Sequence, residues 1–211
     1  PLPALAYQAR ASGRPELLRV PQRRDMIAIA GISLIGNTIY QLLFINGIAR
    51  TSPGNASLIM ASSPIWIVIL GFLLRIERIN RLVFAGILLS FAGIVLLVTG
   101  GGNVEIDRAN VVGDALILGC AMQWAIYTVA SKPLLARYSP LGMTAWSMLA
   151  GTIPLILFAI PEILRQDWSA VAPVAWIGMF YSGGLSVAIG YAIWHASVQR
   201  VGNARTAIYN N

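Results

Sequence analysis

His195 and Cys120 are the only histidine and the only cysteine in a chain of 211 residues, and 75 positions part them. That is too sparse for a metal-ligand set or a Cys–His nucleophile pair, and a lone cysteine rules out an intrachain disulfide. Gly100-Gly-Gly102 has no following Lys-Ser/Thr, so it is not a phosphate loop. No cofactor and no soluble-type catalysis are expected. No ATP-binding segment is read either, so any pumping would draw on a gradient or a partner. What remains is a set of amides, hydroxyls and rings inside apolar runs. Asn37, Tyr40, Gln41 and Asn46 lie in one run. Asn55, Ser62 and Ser63 precede Pro64 and Trp66 in the next. Tyr181, Ser182, Ser186 and Tyr191 lie in a later one, with Gly183 and Gly184 as a pliable point. Such groups can replace the hydration of a polar solute, whose unpaired burial costs several kcal/mol. Asn37 and Gln41 are four apart and share a helix face. A bend at Pro64 would free carbonyls near Met60 for a ligand.

Rings add a second chemistry. Trp66, Trp124, Tyr127, Trp146 and Tyr191 lie deep in apolar runs and could stack on an apolar or aromatic solute. Tyr138, Trp168 and Trp176 fall near run ends, where rings anchor at the membrane interface. The plainer reading of each amide and hydroxyl is a bond between helices, and of each deep ring, packing. The polar set as a whole is better explained by a cavity. His195 could carry a coupling proton, because imidazole titrates near working pH; the plainer alternative is an interfacial histidine bonded to a carbonyl. Asp114, one turn into its run, suits the positive end of a helix dipole. Glu77 among Arg75, Arg78 and Arg81 reads as a salt-bridge site closing a turn, and Lys132 as a helix end reaching the interface.

The elements that must hold these groups are membrane helices. The chain is 57% hydrophobic and 11% charged, with mean hydropathy +0.71, against about 25% charged in soluble domains. A net charge of +7 could suggest nucleic acid. The basic residues, however, punctuate apolar runs instead of forming one face. Spans of about 20 apolar residues are expected at Met26–Ala49, Asn55–Leu74, Leu82–Gly100, Val111–Ser131, Met143–Ile160 and Val174–Val198. Pro1–Ala9 reads as the tail of one helix, and another begins near Asn203. Pro64 and Pro154 predict bends, not helix ends, because neighbouring groups in a membrane bundle can satisfy the freed backbone. Alternating loops place 12 of the 15 Lys and Arg on one side and Arg50, Arg108 and Arg165 on the other. The rich side is cytoplasmic, and the acidic loop Gly100–Asn110 faces outside.

Shifting the sequence by 150 residues lays Phe44-Ile-Asn-Gly-Ile-Ala-Arg50 on Trp194-His-Ala-Ser-Val-Gln-Arg200, aromatic on aromatic and Arg on Arg. The two Arg fall on opposite sides of the membrane, so the copies are inverted, as in many secondary transporters whose solute site lies at the repeat interface.

The order of Ala49-Arg-Thr-Ser-Pro-Gly-Asn-Ala-Ser-Leu-Ile59, Ser63-Pro-Ile-Trp66, Glu77 and Gly86 with Gly93-Ile-Val-Leu-Leu97 resembles the drug/metabolite transporter superfamily, EamA type. The second half continues the resemblance with Gly113-Asp114, Trp124-Ala-Ile-Tyr127 and Gln199-Arg-Val-Gly-Asn-Ala-Arg205. It implies an all-α, polytopic transmembrane bundle of two inverted five-helix repeats, here truncated at both ends. Residues 1–102 would be the first repeat and 111–211 the second, running from the end of the family's second helix to the start of its ninth. The family's third, fourth, eighth and ninth helices line a central cavity. Together with the polar and ring residues read above, the candidate cavity set is Asn37, Tyr40, Gln41, Asn55, Ser63, Trp66, Trp124, Tyr127, Tyr181, Ser186 and Tyr191, with Pro64, Gly183 and Gly184 as hinges and His195 as a candidate for proton coupling.

The expected function is secondary transport by alternating access: export of a small organic metabolite, such as an amino acid or similar amphiphile, from the bacterial inner membrane. Expected partners are the small-molecule solute and the lipid bilayer, with proton coupling open and no nucleic acid; oligomeric state stays open. The alternatives are an integral-membrane enzyme on lipid or isoprenoid substrates, for which paired carboxylates or clustered histidines are missing, and a non-transporting scaffold.

Overall fold

A computed structural model describes residues 20–76, 81–100 and 111–208. Glu77, Arg78, Pro1–Ala9 and the loop residues 101–110 lie outside them. Six long helices follow in order: α1 (Arg23–Ile48), α2 (Pro53–Leu73), α3 (Arg81–Gly100), α4 (Val111–Leu135), α5 (Pro140–Arg165) and α6 (Pro173–Val201); a short α7 (Asn203–Ile208) closes the described chain. α1, α2, α4, α5 and α6 are each long and apolar enough to cross a membrane, and α3, at 20 residues, spans about 30 Å at the helical rise.

Local chemistry sets the boundaries. Ser52 caps α2, its Oγ accepting from Asn55 N at 3.1 Å, and Ser139 caps α5 in the same way from Gly142 N at 3.1 Å. Each is followed by a proline, whose missing N–H would have no helical partner there. α6 ends at Gly202, with φ 90°, a conformation glycine adopts without strain. α4 runs through Pro133 to Leu135, four residues past the expected Ser131, and so past Lys132. Proline removes a single backbone bond there, and Leu134 and Leu135 are buried beyond it. α5 also continues through Pro154 and Pro161. α2 does break, with a turn at Ala61–Ser62 just before Pro64.

Two π-helical stretches were not anticipated: Leu34–Ile39 within α1 and Tyr181–Ile189 within α6. Each widens the helix by a residue per turn, a feature frequent at functional sites. They end 150 positions apart. The same offset separates the starts of α1 and α6, at Arg23 and Pro173, and of α2 and α7, at Pro53 and Asn203.

α4 is the central post. It packs against α1, α2, α6 and α7, while α5 bridges the first part of α1 to the last part of α6. Apolar burial gives little advantage over lipid, so close approach at small residues must hold such a bundle. Gly47 of α1 lies against Ile117 and the Gly113 carbonyl, and Gly113 against the Arg50 carbonyl. Gly36 meets the Tyr127 ring, and Gly151 of α5 meets Asn37 and the Ser33 carbonyl. α1 and α4 run antiparallel: the start of α1 bonds to residues just after α4, and the residues after α1 bond to the start of α4. By contrast, Pro173–Ile189 of α6 contributes no buried residue among those described.

Candidate functional site

Trp124, midway along α4, is the hub of a ring cluster. Its ring lies 6.1 Å from Tyr40 of α1, 5.8 Å from Tyr127 one turn on, 5.3 Å edge-on from Tyr191 and 5.1 Å from Trp194, both of α6. Tyr40 stacks on Phe44 at 5.9 Å, and Tyr127 and Tyr191 are 5.9 Å apart. Aromatic pairs favour such offset and edge-on geometries at these separations. Tyr127 is fully buried, whereas Tyr40, Trp124 and Tyr191 are half-buried. Helical spacing alone puts Trp124 and Tyr127 on one face; only the packing of three helices brings Tyr40 and Tyr191 to it.

Beneath the rings runs a polar network. His195, 0% exposed, has Nδ1 at 2.7 Å from Thr144 Oγ1 and Nε2 at 3.1 Å from the Tyr127 hydroxyl. That hydroxyl is 2.9 Å from Ser147 Oγ. Asn37 Nδ2 donates to the Ser147 carbonyl at 3.1 Å, and Thr38 Oγ1 to the Gly151 carbonyl at 2.7 Å. The histidine is thus buried and bonded to hydroxyls, not to a carbonyl at the interface. Ser147 and Thr144 escaped the sequence reading. Their signal was faint: hydroxyls on one helix, three positions apart, with no partner identifiable in one dimension.

The remaining candidates divide. Trp66 packs with Trp124 and Trp194 around Ile67, Ala125, Val129 and Ala207, and its Nε1 donates to Ser62 Oγ at 3.2 Å. Gln41 is half-buried on α1. Asn55 sits in the first turn of α2, at the end of the bundle. Ser63 is 1% exposed and donates to the Met60 carbonyl, and Ser62 donates to the Ile59 carbonyl at 2.6 Å. The carbonyls freed before Pro64 are therefore capped by these serines, not left for a ligand as the bend alone suggested. Tyr181 is 64% exposed, Ser186 is exposed, and nothing lies within 4 Å of a Cβ built on Gly183 or Gly184. These four stand apart from the ring cluster among the described residues. Asn46 bonds its own helix, donating to the Leu42 carbonyl at 2.9 Å.

The ends of α1 carry two further contacts. At its start, Asp25 is 5% exposed and accepts from Arg137 Nη1 at 3.0 Å and from the Tyr138 hydroxyl at 2.8 Å. Tyr138 also accepts from Gln22 N at 3.2 Å. Gln22, Asp25, Ala136, Arg137 and Tyr138 line a pocket of about 420 Å³. Tyr138 is 6% exposed, so it is a buried partner of Asp25 and not the interfacial anchor expected; the carboxylate draws the phenol inward. Asp25 was hidden in the sequence by the adjoining Arg23 and Arg24. At the other end, Thr51 donates to Asp114 in the first turn of α4. Trp168 and Trp176 remain exposed near the ends of α5 and α6, with rings 5.7 Å apart. In the turn between α5 and α6, Asp167 accepts from Ser169 N at 2.9 Å and Ser169 Oγ at 2.6 Å. Those two bonds hold its carboxyl below the usual aspartate range. No group of three or more His, Cys, Asp or Glu side chains that could hold a metal ion occurs among the described residues.

The chain is similar to a probable terminal-alkyne amino-acid exporter of Streptantibioticus cattleyicolor, at 32% identity over 94% of this chain and 63% of that protein. It is 28% identical to an uncharacterized transporter of Archaeoglobus fulgidus, over 88% of this chain and 64% of that protein. It is also 28% identical to the uncharacterized inner membrane transporter YicL of Salmonella typhimurium, over 88% and 61%. The chain thus spans somewhat less than two thirds of the length of these relatives. A crystal structure superposes with a TM-score of 0.72 at 25% identity, covering 97% of this chain and 68% of the other. The model of the EamA-like transporter family matches residues 3–99 and again 111–211. Two matches across nearly the whole length of an all-helical, membrane-spanning chain carry one conclusion: the chain belongs to the EamA-like transporter family.

Proposed function

We propose that this integral membrane protein is a secondary transporter that exports a small organic metabolite, an amino acid or similar amphiphile, by alternating access. The observation that carries the reading is the Trp124 hub: half-buried rings from α1, α4 and α6 meet at one level, above a layer of amide and hydroxyl groups. Such a surface can take an apolar or aromatic side chain on the rings and a polar head on Asn37, Gln41 and the tyrosine hydroxyls. The amino-acid exporter among the relatives supports the solute class, and the inner membrane transporter supports a bacterial inner membrane. The names carried by the family and its relatives are those of transporters, which sets the membrane-enzyme alternative aside.

The two repeats are taken as 1–102 and 111–211. The common 150-residue offset of helix starts and π-helical stretches supports them. An odd number of helices per repeat gives α1 and α6 opposite sense, the arrangement of inverted-repeat transporters. Rocking of the halves would work the contacts at the two ends of α1, opening Asp25 from Arg137 and Tyr138 on the arginine-rich side and Thr51 from Asp114 on the other. Bending would occur at Pro64, beside an existing break in α2, and at Gly183-Gly184, where a widened turn meets open space.

The test is uptake into proteoliposomes of labelled amino acids, nucleosides and sugars, with and without a pH gradient. Saturable flux of one class is expected, falling at least tenfold in Asn37→Ala and Tyr191→Ala that still elute as folded protein. No flux for any class would favour the scaffold, and unchanged flux in both variants would move the solute site elsewhere.

A further inference from the structure

The hydrogen-bond network around His195 joins one ring to hydroxyls on two other helices. A hydroxyl has one proton to give. Thr144 Oγ1 gives its own to the Pro140 carbonyl at 2.9 Å. With that hydrogen on the carbonyl, Oγ1 accepts at the 2.7 Å contact with His195 Nδ1, and Nδ1 carries the imidazole hydrogen. Nε2 is then bare and accepts from the Tyr127 hydroxyl at 3.1 Å. Ser147 Oγ, 2.9 Å from that same hydroxyl, has the Thr144 carbonyl at 3.2 Å as its own acceptor. This arrangement satisfies every partner with one neutral tautomer and leaves one hydroxyl, that of Tyr127, with a second acceptor within reach.

We infer that His195 is a proton-binding site, with Tyr127 and Ser147 as the hydroxyl pair that accommodates the proton. The ring is 0% exposed, so the proton reaches it when the bundle opens locally: a hydronium gives its proton to Nε2, which the Tyr127 hydroxyl has left, and departs as water. The new N–H donates to the Tyr127 oxygen. The Tyr127 hydrogen swings to Ser147 Oγ, whose own hydrogen stays on the Thr144 carbonyl. One N–H bond forms, the ring gains one positive charge, and every donor keeps an acceptor through a single hydroxyl rotation. Among the described residues, the titratable side chains in contact with the ring are the phenols of Tyr127 on α4 and Tyr191 on α6. α5 presents Thr144 and Ser147, and α1 presents Asn37 to the Ser147 carbonyl. The four carboxylates among the described residues hold partners elsewhere: Asp25 with Arg137, Asp114 with Thr51, Glu162 with Arg165 and Asp167 with Ser169. Among the described residues no carboxylate lies beside it, so oriented hydroxyls hold the charge, which suits a site that must also release its proton. As the driving site, this assignment rests on the transporter reading; as a proton site, it does not.

Because His195 is the sole histidine, uniform ¹⁵N-histidine labelling of the full chain in lipid bilayers reports this ring alone. The expected spectrum at alkaline pH has Nδ1 protonated and Nε2 bare, giving way to the doubly protonated ring on acidification. Tyr127→Phe removes the acceptor of the new N–H, and bonds to charged groups are about twice as strong as neutral ones, so its midpoint should fall by about one pH unit, a tenfold weaker site. Ser147→Ala, a smaller change should Tyr127→Phe not fold, should lower it in the same direction. The Nε2–H tautomer, a ring that stays neutral until the protein unfolds, or midpoints unmoved in both variants would overturn the assignment. In proteoliposomes carrying labelled amino acids, acceleration by a pH gradient should vanish in His195→Asn. If it persists, the site is not the driving one. Absence of any flux would count against the transporter reading and leave the proton site to the spectrum.

Discussion

Replacing Gly151 by alanine adds one methyl group at a close approach of α5 to α1. The new carbon would lie 2.5 Å from Asn37 Cβ and 3.1 Å from both Asn37 Nδ2 and the Ser33 carbonyl oxygen. Carbon atoms rest at about 3.5–4.0 Å, so the helices must part by roughly 1 Å. The Thr38 Oγ1 bond to the Gly151 carbonyl, now 2.7 Å, and the Asn37 bond to the Ser147 carbonyl, now 3.1 Å, would then pass beyond hydrogen-bond range. Each such bond in a membrane bundle contributes about 0.6 kcal/mol, and overpacking adds about 1–3 kcal/mol. Alanine returns up to about 1 kcal/mol through helix propensity. The opposing terms leave a loss of about 1–3 kcal/mol. Gly178→Ala and Gly190→Ala on α6 serve as controls, since nothing lies within 4 Å of a Cβ at either position; they should be neutral or slightly stabilising. Equilibrium unfolding in mixed micelles against rising dodecyl sulfate, followed by tryptophan fluorescence, measures all three. A Gly151→Ala protein as stable as wild type, or controls that lose as much, would refute the α1–α5 contact described here.

The pair at the start of α1 should be coupled: Asp25→Ala and Arg137→Ala each lower the yield of folded protein in detergent, and the double variant loses less than the two losses combined, because each single change strands its partner; additive losses would separate them. Cys120 is buried, with Sγ 3.6 Å from the Tyr40 carbonyl, so maleimide labelling should be slow in the folded protein and fast after denaturation; rapid labelling in mild detergent would contradict that packing. Asp167 has a folded pKa below its unfolded value. Its contribution to the α5–α6 turn is therefore present above the unfolded pKa of about 3.9 and lost as pH falls through the lower folded value. Fluorescence of the neighbouring Trp168–Trp176 pair should report a local acid transition that Asp167→Asn removes; an identical acid profile in the variant would assign the transition to other groups.

Much of this molecule could be read in one dimension. The membrane class, six helices to within a few residues at most ends and the place of Asp114 in a first helical turn all follow from local composition; at Pro64 the expected bend is a full break in the helix. Hydropathy, proline and capping groups act within a few positions of where they sit. The Trp124 hub was half legible, because Trp124 and Tyr127 share a helix face.

Facing was not legible. Asp25 and Tyr138 are 113 positions apart, and His195 and Thr144 are 51. The π-helical stretches carry no signature that hydropathy resolves. In a soluble protein an apolar stripe tells which side of a helix packs inward. Here lipid and protein interior are alike apolar, so the stripe is faint, and the same Asn, Ser or Tyr serves equally as a cavity wall or as a bond to the next helix. The sequence by itself determined which segments enter the membrane. The tertiary structure alone decided which polar groups meet there, since close approach at Gly36, Gly47, Gly113 and Gly151, not hydrophobic patterning, sets the register of one helix against another.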